Sequence, residues 1–237
     1  MTDRDAERSA FEPDRGENRR MKPEQTVADY SAAPYVPALA YHWLTPLYDR
    51  VVAVTTRERE VKRALIVQAA IRPEHVVLDL ASGTGTLALW IKQSAPRVSV
   101  VGVDADPAMI AIATTKVQRA GLAVPFDEGV AHDLPYPAGQ FDRVVSSLFF
   151  HHLSPAGKVR TVHEVWRVLK PGGELHVADW GPAATPLMRG LFVFVQLLDG
   201  FTNTRDHAAG RLGTIFEAGG FEQVALRQRF NTPLGTL

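Results

Sequence analysis

Short apolar runs alternate with longer stretches in which apolar residues recur every three or four positions, and this alternation occupies most of the chain after residue 57. The runs near 75–80, 98–103, 123–128, 141–147 and 173–180 read as strands. Val76-Val77-Leu78 is apolar without alternation, as in a parallel strand covered on both faces. The stretches between the runs read as helices, followed by helices near 185–199 and 205–219 and a strand near 221–230. Such regular exchange of strand and helix predicts an α/β domain on a mostly parallel, doubly wound sheet with helices on both faces.

Helix ends are signed by capping residues. Asp106 can cap a helix with Pro107 at its first position and Gly121 just past its end, and Ser154-Pro155 opens another that stops before Pro171-Gly172-Gly173. In the second helix Val159, Val162, Trp166 and Leu169 recur at spacings of three and four, which predicts a core-facing stripe. Arg57 to Ala70 reads as an amphipathic helix with Val61, Leu65, Val67 and Ile71 near one face. Thirteen of the first 25 residues are charged, too many to bury the apolar surface that would offset ordering entropy, so residues 1–28 are expected to be a disordered leader. The remainder, 29–237, is expected to be one domain. Its start, 29–70, is rich in aromatics (Tyr30, Tyr35, Tyr41, Trp43, Tyr48) and reads either as a helical lid or as an arm covering the core.

Composition narrows the kind of partner. A hydrophobic content of 46% over 237 residues is enough for one sizeable core. The 26 basic and 26 acidic side chains cancel, so no charge field favours nucleic acid or a membrane surface, and a small-molecule ligand fits better. With no cysteine there are no disulfides, thiolate metal ligands or Cys nucleophile, which is compatible with the cytoplasm. The longest apolar stretch, Leu191 to Leu198, is interrupted by Gln196 and falls short of the roughly 20 residues that span a bilayer, so no stable membrane insertion is expected. His75, His163 and His176 lack partners at metal-binding spacing, and no metal site is expected. Oligomeric state is left open.

Candidate chemistry concentrates between Asp79 and Thr86, where a strand ends in an acid and enters a loop of small residues. Gly83 and Gly85 allow a ligand close to the backbone, and the helix that follows presents unpaired N–H groups and its positive dipole end. A nucleotide-like cofactor is therefore expected. Gly83-Thr-Gly-Thr-Leu-Ala88 matches the dinucleotide pattern G-x-G-x-x-A, and Asp104 ends the next strand, where a carboxylate can accept both ribose hydroxyls. A nicotinamide-dependent oxidoreductase is one reading. The spacing offers another, because Asp79 stands four residues before the first glycine, whereas a dinucleotide loop turns on glycine directly after the strand. Asp106 is assigned to the helix cap and Asp104 to ribose.

With Asp79-x-Ala81-x-Gly83-x-Gly85 the loop resembles the first motif, acid-x-Gly-x-Gly-x-Gly, of the class I S-adenosylmethionine-dependent methyltransferases. Ala81 replaces the first glycine, a variant tolerated if its φ is negative. Further stretches resemble that family in order. They are Val101-Gly-Val-Asp-Ala-Asp106, Ala131-His-Asp-Leu-Pro135, Phe141-Asp-Arg-Val-Val-Ser-Ser147 with His151-His152-Leu153, and Leu169-Lys-Pro-Gly-Gly-Glu-Leu175. Leu44-Thr-Pro-Leu-Tyr-Asp49, His151-His152-Leu153 and Val177-Ala-Asp-Trp180 resemble the branch of ubiquinone and menaquinone biosynthesis methyltransferases.

The resemblance implies a Rossmann-like fold, S-adenosylmethionine as cofactor, and in-line methyl transfer to carbon, oxygen or nitrogen of a small molecule. It implies a cofactor site of Asp79, Ala81, Ser82, Gly83, Gly85, Asp104, Ala105, Met109, His132, Asp133 and Ser147, with Asp133 accepting from the adenine amino group. It also implies a terminal hairpin on the sheet, for which Asn231 to Leu237 leaves little room: either Leu234 to Leu237 makes a stub or the last strand is truncated.

His151, His152 and Asp179 follow strands at the carboxyl edge where ligands of open α/β sheets bind, and are the candidates for proton transfer or substrate contact; the alternative for the histidines is capping or packing. Tyr41, His42 and Trp180 are candidates for the substrate pocket, or packing residues. The absence of an obvious base and the short last strand leave a third reading, a non-catalytic protein that keeps the cofactor fold as an interaction surface.

Overall fold

The computed structural model describes residues 57–232 and 235–237. The expected leader, Tyr41, His42 and all of the expected lid before residue 57 lie outside the described residues. Helix α1 (Glu58–Gln68) leads into β1 (Val76–Leu80), α2 (Thr86–Ser94), β2 (Ser99–Asp104), α3 (Pro107–Arg119), β3 (Phe126–Glu128) and β4 (Phe141–Ser147). A 3-10 turn (Phe150–His152), α4 (Pro155–Val168) and β5 (Leu169–Ala178) follow, then α5 (Pro186–Asp199), α6 (Phe201–Ala208), α7 (Leu212–Ala218) and the short pair β6 (Asn231–Thr232) and β7 (Gly235–Thr236). The five main strands are all parallel, in the order β3-β2-β1-β4-β5. Chain direction across the sheet reverses between β1 and β4, so a crevice opens at their carboxyl ends.

Strand periodicity sorts side chains onto two cores. Val77 and Val100 pack with Leu65 of α1, Ile91 of α2 and Val117 of α3, while Leu78, Leu80, Val101 and Val103 pack on the opposite face with Val162, Val165 and Val168 of α4. Asp79 shares the parity of Val77 and therefore faces α2.

Both expected caps are present. Asp106 Oδ1 accepts from Ala108 N at 2.8 Å with Pro107 behind it, and Ser154 Oγ accepts from Gly157 N at 3.1 Å. The expected stripe of α4 needs correction: Val159 is 45% and Trp166 58% exposed, and the buried face is instead Lys158, Thr161, Val162, Val165 and Val168. Val67 on α1 is likewise exposed, whereas Val61 and Leu65 are buried. Apolar spacing by itself did not distinguish the covered side from its neighbour, because each helix packs on the sheet through a narrow stripe.

Two further expectations are corrected. The single helix expected over 205–219 is two, divided at Gly210 (φ +70°). Residues 221–229 run irregularly, and only Phe230 pairs, exchanging backbone bonds with Leu237 at 2.7 and 2.9 Å. Asn231–Thr232 pairs antiparallel with Gly235–Thr236, and an antiparallel bridge joins Thr236 to Gly181 past the end of β5. Among the described residues no strand covers the outer edge of β5, which opens on a cavity of about 1290 Å³ reaching from Gly139 to Trp180 and His207. Pro171-Gly172-Gly173 forms a bulge there: Leu169 pairs with Phe141, and pairing resumes only at Glu174 with Arg143.

Candidate functional site

The loop after β1 is held from three sides. Ser82 N donates to Val103 O at 2.9 Å, and Gly83 N donates to Asp104 Oδ2 at 2.7 Å, which fixes the loop to the end of β2. From α3, Lys116 Nζ donates to Thr84 Oγ1 and Thr86 Oγ1 at 2.8 and 2.9 Å. From below, Asp79 Oδ2 accepts from Ala88 N at 2.9 Å, satisfying one of the orphan donors in the first turn of α2. Burial pushes the Asp79 carboxyl up to about 7, against the attraction of Lys62 on α1.

The two loop glycines have different reasons. A Cβ on Gly85 (φ +71°) would stand 2.7 Å from Ala113 Cβ and 2.8 Å from Phe126 Cζ, so this position lets α2 approach α3 and β3. A Cβ on Gly83 (φ +52°) would meet nothing within 4 Å, so this glycine borders open space. Ser82 Oγ beside it is buried and has no hydrogen-bond partner among the described residues. That hydroxyl lies against β2, 3.0 Å from where a Cβ on Gly102 would stand, and the open side of the loop is at Gly83.

Asp104 is bound by the protein already, since Oδ1 accepts from Asp106 N at 3.0 Å and Oδ2 from Gly83 N. Burial raises its pKa, and those amides oppose the rise. Each carboxylate oxygen still has acceptor capacity for a ribose hydroxyl. Across the crevice, Asp133 and His132 are exposed, and Ala105, Met109 and Ser147 are half-buried. The turn carrying Asp133 is clamped from α4: Glu164 Oε2 accepts from Leu134 N at 2.9 Å, and Arg167 donates to Leu134 O and Tyr136 O at 3.1 and 2.8 Å.

A second cluster lies past the ends of β4 and β5. Leu148 adopts φ +57°, a left-handed conformation rare for a branched side chain, and its N–H donates to Ala178 O at 2.8 Å. This turn delivers the 3-10 segment onto Asp179. His151 Nδ1 lies 2.7 Å from Asp179 Oδ1, and the same carboxylate accepts from Trp180 N at 2.7 Å, Phe149 N at 3.2 Å and His151 N at 3.3 Å. Burial opposes ionisation of Asp179, but His151 and His207 hold its carboxyl well below the usual carboxylate range. In the tautomer that donates from Nδ1 to this carboxylate, the ring's lone pair lies on Nε2. His152 stacks at 4.0 Å between ring centroids, tilted by 40°.

Comparison with known proteins agrees with this geometry. A family model described as a methyltransferase domain matches residues 77–173. An uncharacterized methyltransferase of Synechocystis sp. is 33% identical over 200 residues, covering 74% of this chain and 91% of the relative. The chain belongs to the class I S-adenosylmethionine-dependent methyltransferases. The fold is shared with an S-adenosylmethionine-dependent methyltransferase from Aquifex aeolicus, at a TM-score of 0.57 and 19% identity over 74% of this chain and 85% of that one. Deinococcus radiodurans demethylmenaquinone methyltransferase is 36% identical over 152 residues, 63% of this chain and 62% of the relative. The chain thus spans less than two thirds of the length of that relative. The nicotinamide reading of G-x-G-x-x-A finds no support.

Within this methyltransferase most of the expected residues gather at the carboxyl edge, with two differences. Trp180 is 5% exposed and packs edge-on to Phe192 at 5.8 Å, in a cluster with Val61, Val195 and Leu237, the packing placement that was the alternative for it. Ala81 has φ +54°, contrary to the negative value expected for a tolerated alanine. The loop needs a left-handed residue there, and the methyl group is strained by about 1–2 kcal/mol. Ala81→Gly is expected to gain about 1 kcal/mol after the entropy of the unfolded chain is counted. Calorimetry should show Tm rising by roughly 2 to 4 °C, and a fall would contradict the strain. His207, Glu164 and Arg167 were missed by sequence reasoning. None stands in a motif, and only the packing of α4 and α6 brings them to the site.

Proposed function

We propose that this methyltransferase transfers a methyl group from S-adenosylmethionine to a ring carbon of a small quinol-type acceptor. The observation that carries the cofactor side is the open Gly83 beside the Asp104 carboxylate. In this reading Gly83 admits the cofactor while Gly85 lets the helix that follows pack close beneath it, Asp104 takes ribose, Asp133 the adenine amino group, and Ala105, Met109 and Ser147 border the crevice. When bound, S-adenosylmethionine supplies an electrophilic methyl group on a positively charged sulfur, which leaves as S-adenosylhomocysteine. The acceptor class rests on relatives named as demethylmenaquinone methyltransferases and ubiquinone/menaquinone C-methyltransferases.

His151 is the proton acceptor in this reading. Its Nε2 takes the proton of the acceptor hydroxyl as the ring carbon becomes nucleophilic, Asp179 stabilises the imidazolium that results, and the methylated carbon then loses its ring proton to water as aromaticity is restored. The rest of the rate comes from orientation in the crevice. Among the described residues no helix is long and apolar enough to cross a membrane. A cytoplasmic setting goes with this reading.

Isothermal titration tests the cofactor side: S-adenosylhomocysteine binds and NAD does not, and the reverse result would sink the proposal. Asp104→Ala is expected to weaken S-adenosylhomocysteine by about 1–3 kcal/mol through lost charge-assisted hydrogen bonds, and an unchanged Kd would contradict the ribose assignment. A short-chain demethylmenaquinol with labelled cofactor tests the acceptor.

A further inference from the structure

His207 on α6 is buried against the site and has no role in the reading above. Its side chain is wholly enclosed, and its Nε2 stands 3.7 Å from Asp179 Oδ2. The ring meets His151 edge-on, with centroids 6.1 Å apart. Neither ring nitrogen has a hydrogen-bond partner among the described residues. Enclosing an imidazole with both nitrogens unsatisfied is costly, and the Asp179 carboxylate is the acceptor that a shift of less than 1 Å would bring into hydrogen-bond range.

Asp179 needs such a donor on one side only. Oδ1 is held by two short contacts, from His151 Nδ1 and Trp180 N, both at 2.7 Å. Oδ2 has only the longer amide contacts from Phe149 at 3.2 Å and His151 at 3.3 Å. The carboxyl torsion of aspartate is broad, so a weakly held Oδ2 lets the group rotate and takes Oδ1 off the imidazole. His207 approaches from the Oδ2 side.

The helix bearing His207 is anchored at two residues just before it. Asn203 Nδ2 donates to His152 O at 3.1 Å, which ties α6 to the turn carrying His151. Lys158 of α4, itself fully buried, donates to Asn203 O and lies 3.3 Å from Asp206 Oδ2, while Arg211 holds Asp206 Oδ1 at 2.8 Å. Three charged residues, Lys158, Asp206 and Arg211, and the Asn203 amide thus serve to place one short helix.

We propose that His207 is a positioning residue for methyl transfer, its Nε2–H holding the Oδ2 edge of Asp179 so that Oδ1 stays on His151 Nδ1 and Nε2 of His151 remains the base. This rests on the reading of His151 given above.

The test uses the full chain with His207→Ala and His207→Gln, since glutamine can place an N–H donor near the position of Nε2. With a short-chain demethylmenaquinol as acceptor, His207→Ala is expected to lower kcat by about 10- to 100-fold, within the 10²–10⁴ that a positioned base contributes, while KM changes less than twofold. His207→Gln is expected to recover most of kcat. In proton NMR the hydrogen-bonded Nδ1–H of His151, assigned by its loss in His151→Gln, should persist in the wild type and His207→Gln and vanish into exchange in His207→Ala. S-adenosylhomocysteine titration verifies that each variant is folded, and His207→Leu, which fills the space without a donor, takes the place of the alanine variant with the same expected losses if that one is not. Equal losses in both variants, no loss in either, or a retained resonance in His207→Ala would overturn the proposal. If the resonance behaves as expected but the wild type methylates no acceptor, the hold on Asp179 stands and the methyl-transfer reading falls.

Discussion

His151→Gln is expected to lower kcat for methyl transfer by roughly 10²- to 10⁴-fold while leaving the Kd for S-adenosylhomocysteine within about twofold. The reason is geometric. The Nδ1 of His151 is 2.7 Å from a carboxylate that is itself fully enclosed, so the imidazole has one orientation and one neutral tautomer. Glutamine can still donate to Asp179 and preserve the packing, but it has no lone pair of useful basicity at the far end. Rapid-quench or steady-state rates with a short-chain demethylmenaquinol would measure the effect. A kcat within about threefold of wild type would show that orientation of the reactants supplies the barrier reduction and that the base is dispensable.

Asp79→Asn is expected to stabilise the protein most at pH 8, by less than half as much at pH 5, and to have little effect below about pH 4. Asp79 has a folded pKa of about 7, raised chiefly by burial from the usual 3.8. A raised carboxyl contributes stability that is fully present below the unfolded value and is lost as pH rises through the folded one. The loss spans about pH 4 to 7 and reaches at most about 4 kcal/mol, from roughly 1.4 kcal/mol per unit. Asparagine has no proton to lose and can still accept from Ala88 N, though its amide must find partners of its own, so the net gain will be smaller. Urea unfolding of both proteins at pH 5, 6.5 and 8 reads the difference, and a gap that does not widen with pH would refute the account. In the proposed reading Asp79 lies beneath the loop that would hold S-adenosylmethionine, whose net positive charge would favour the ionised form. Binding of S-adenosylmethionine should therefore release protons between about pH 6 and 8 in the wild type and not in Asp79→Asn.

The main architecture was legible because its signals are local. Buried parallel strands are apolar without alternation, and the Asp106-Pro107 and Ser154-Pro155 caps are spelled out in two residues each. The acid, the two glycines and Asp104 at fixed spacing were enough to place a cofactor loop at the carboxyl edge. Apolar spacing was less reliable for helix faces. Trp166 fits the stripe of α4 by number, yet it lies 58% exposed, because which side of a helix is covered depends on what packs against it. The segment 221–229 reads as a strand by composition, but strand formation needs a partner, and here only Phe230 finds one.

The order of residues along the chain determined most of the strand and helix sequence, the parallel sheet, the glycine loop after β1 and the family, since each depends on contacts within a few positions or on a motif read in order. Tertiary structure alone decided the rest. It sets Ala81 in a left-handed conformation, since the loop geometry is imposed by Val103 and Asp104 on the neighbouring strand. It buries Asp79 beneath α2, where desolvation moves its proton affinity. It also joins His151, Asp179 and His207, which lie 28 residues apart at both steps, taken as 179 minus 151 and 207 minus 179, so no short-range pattern links them. A carboxylate enclosed between two imidazoles exists only once β4, β5 and α6 have packed, because only then is water excluded from the charge they share.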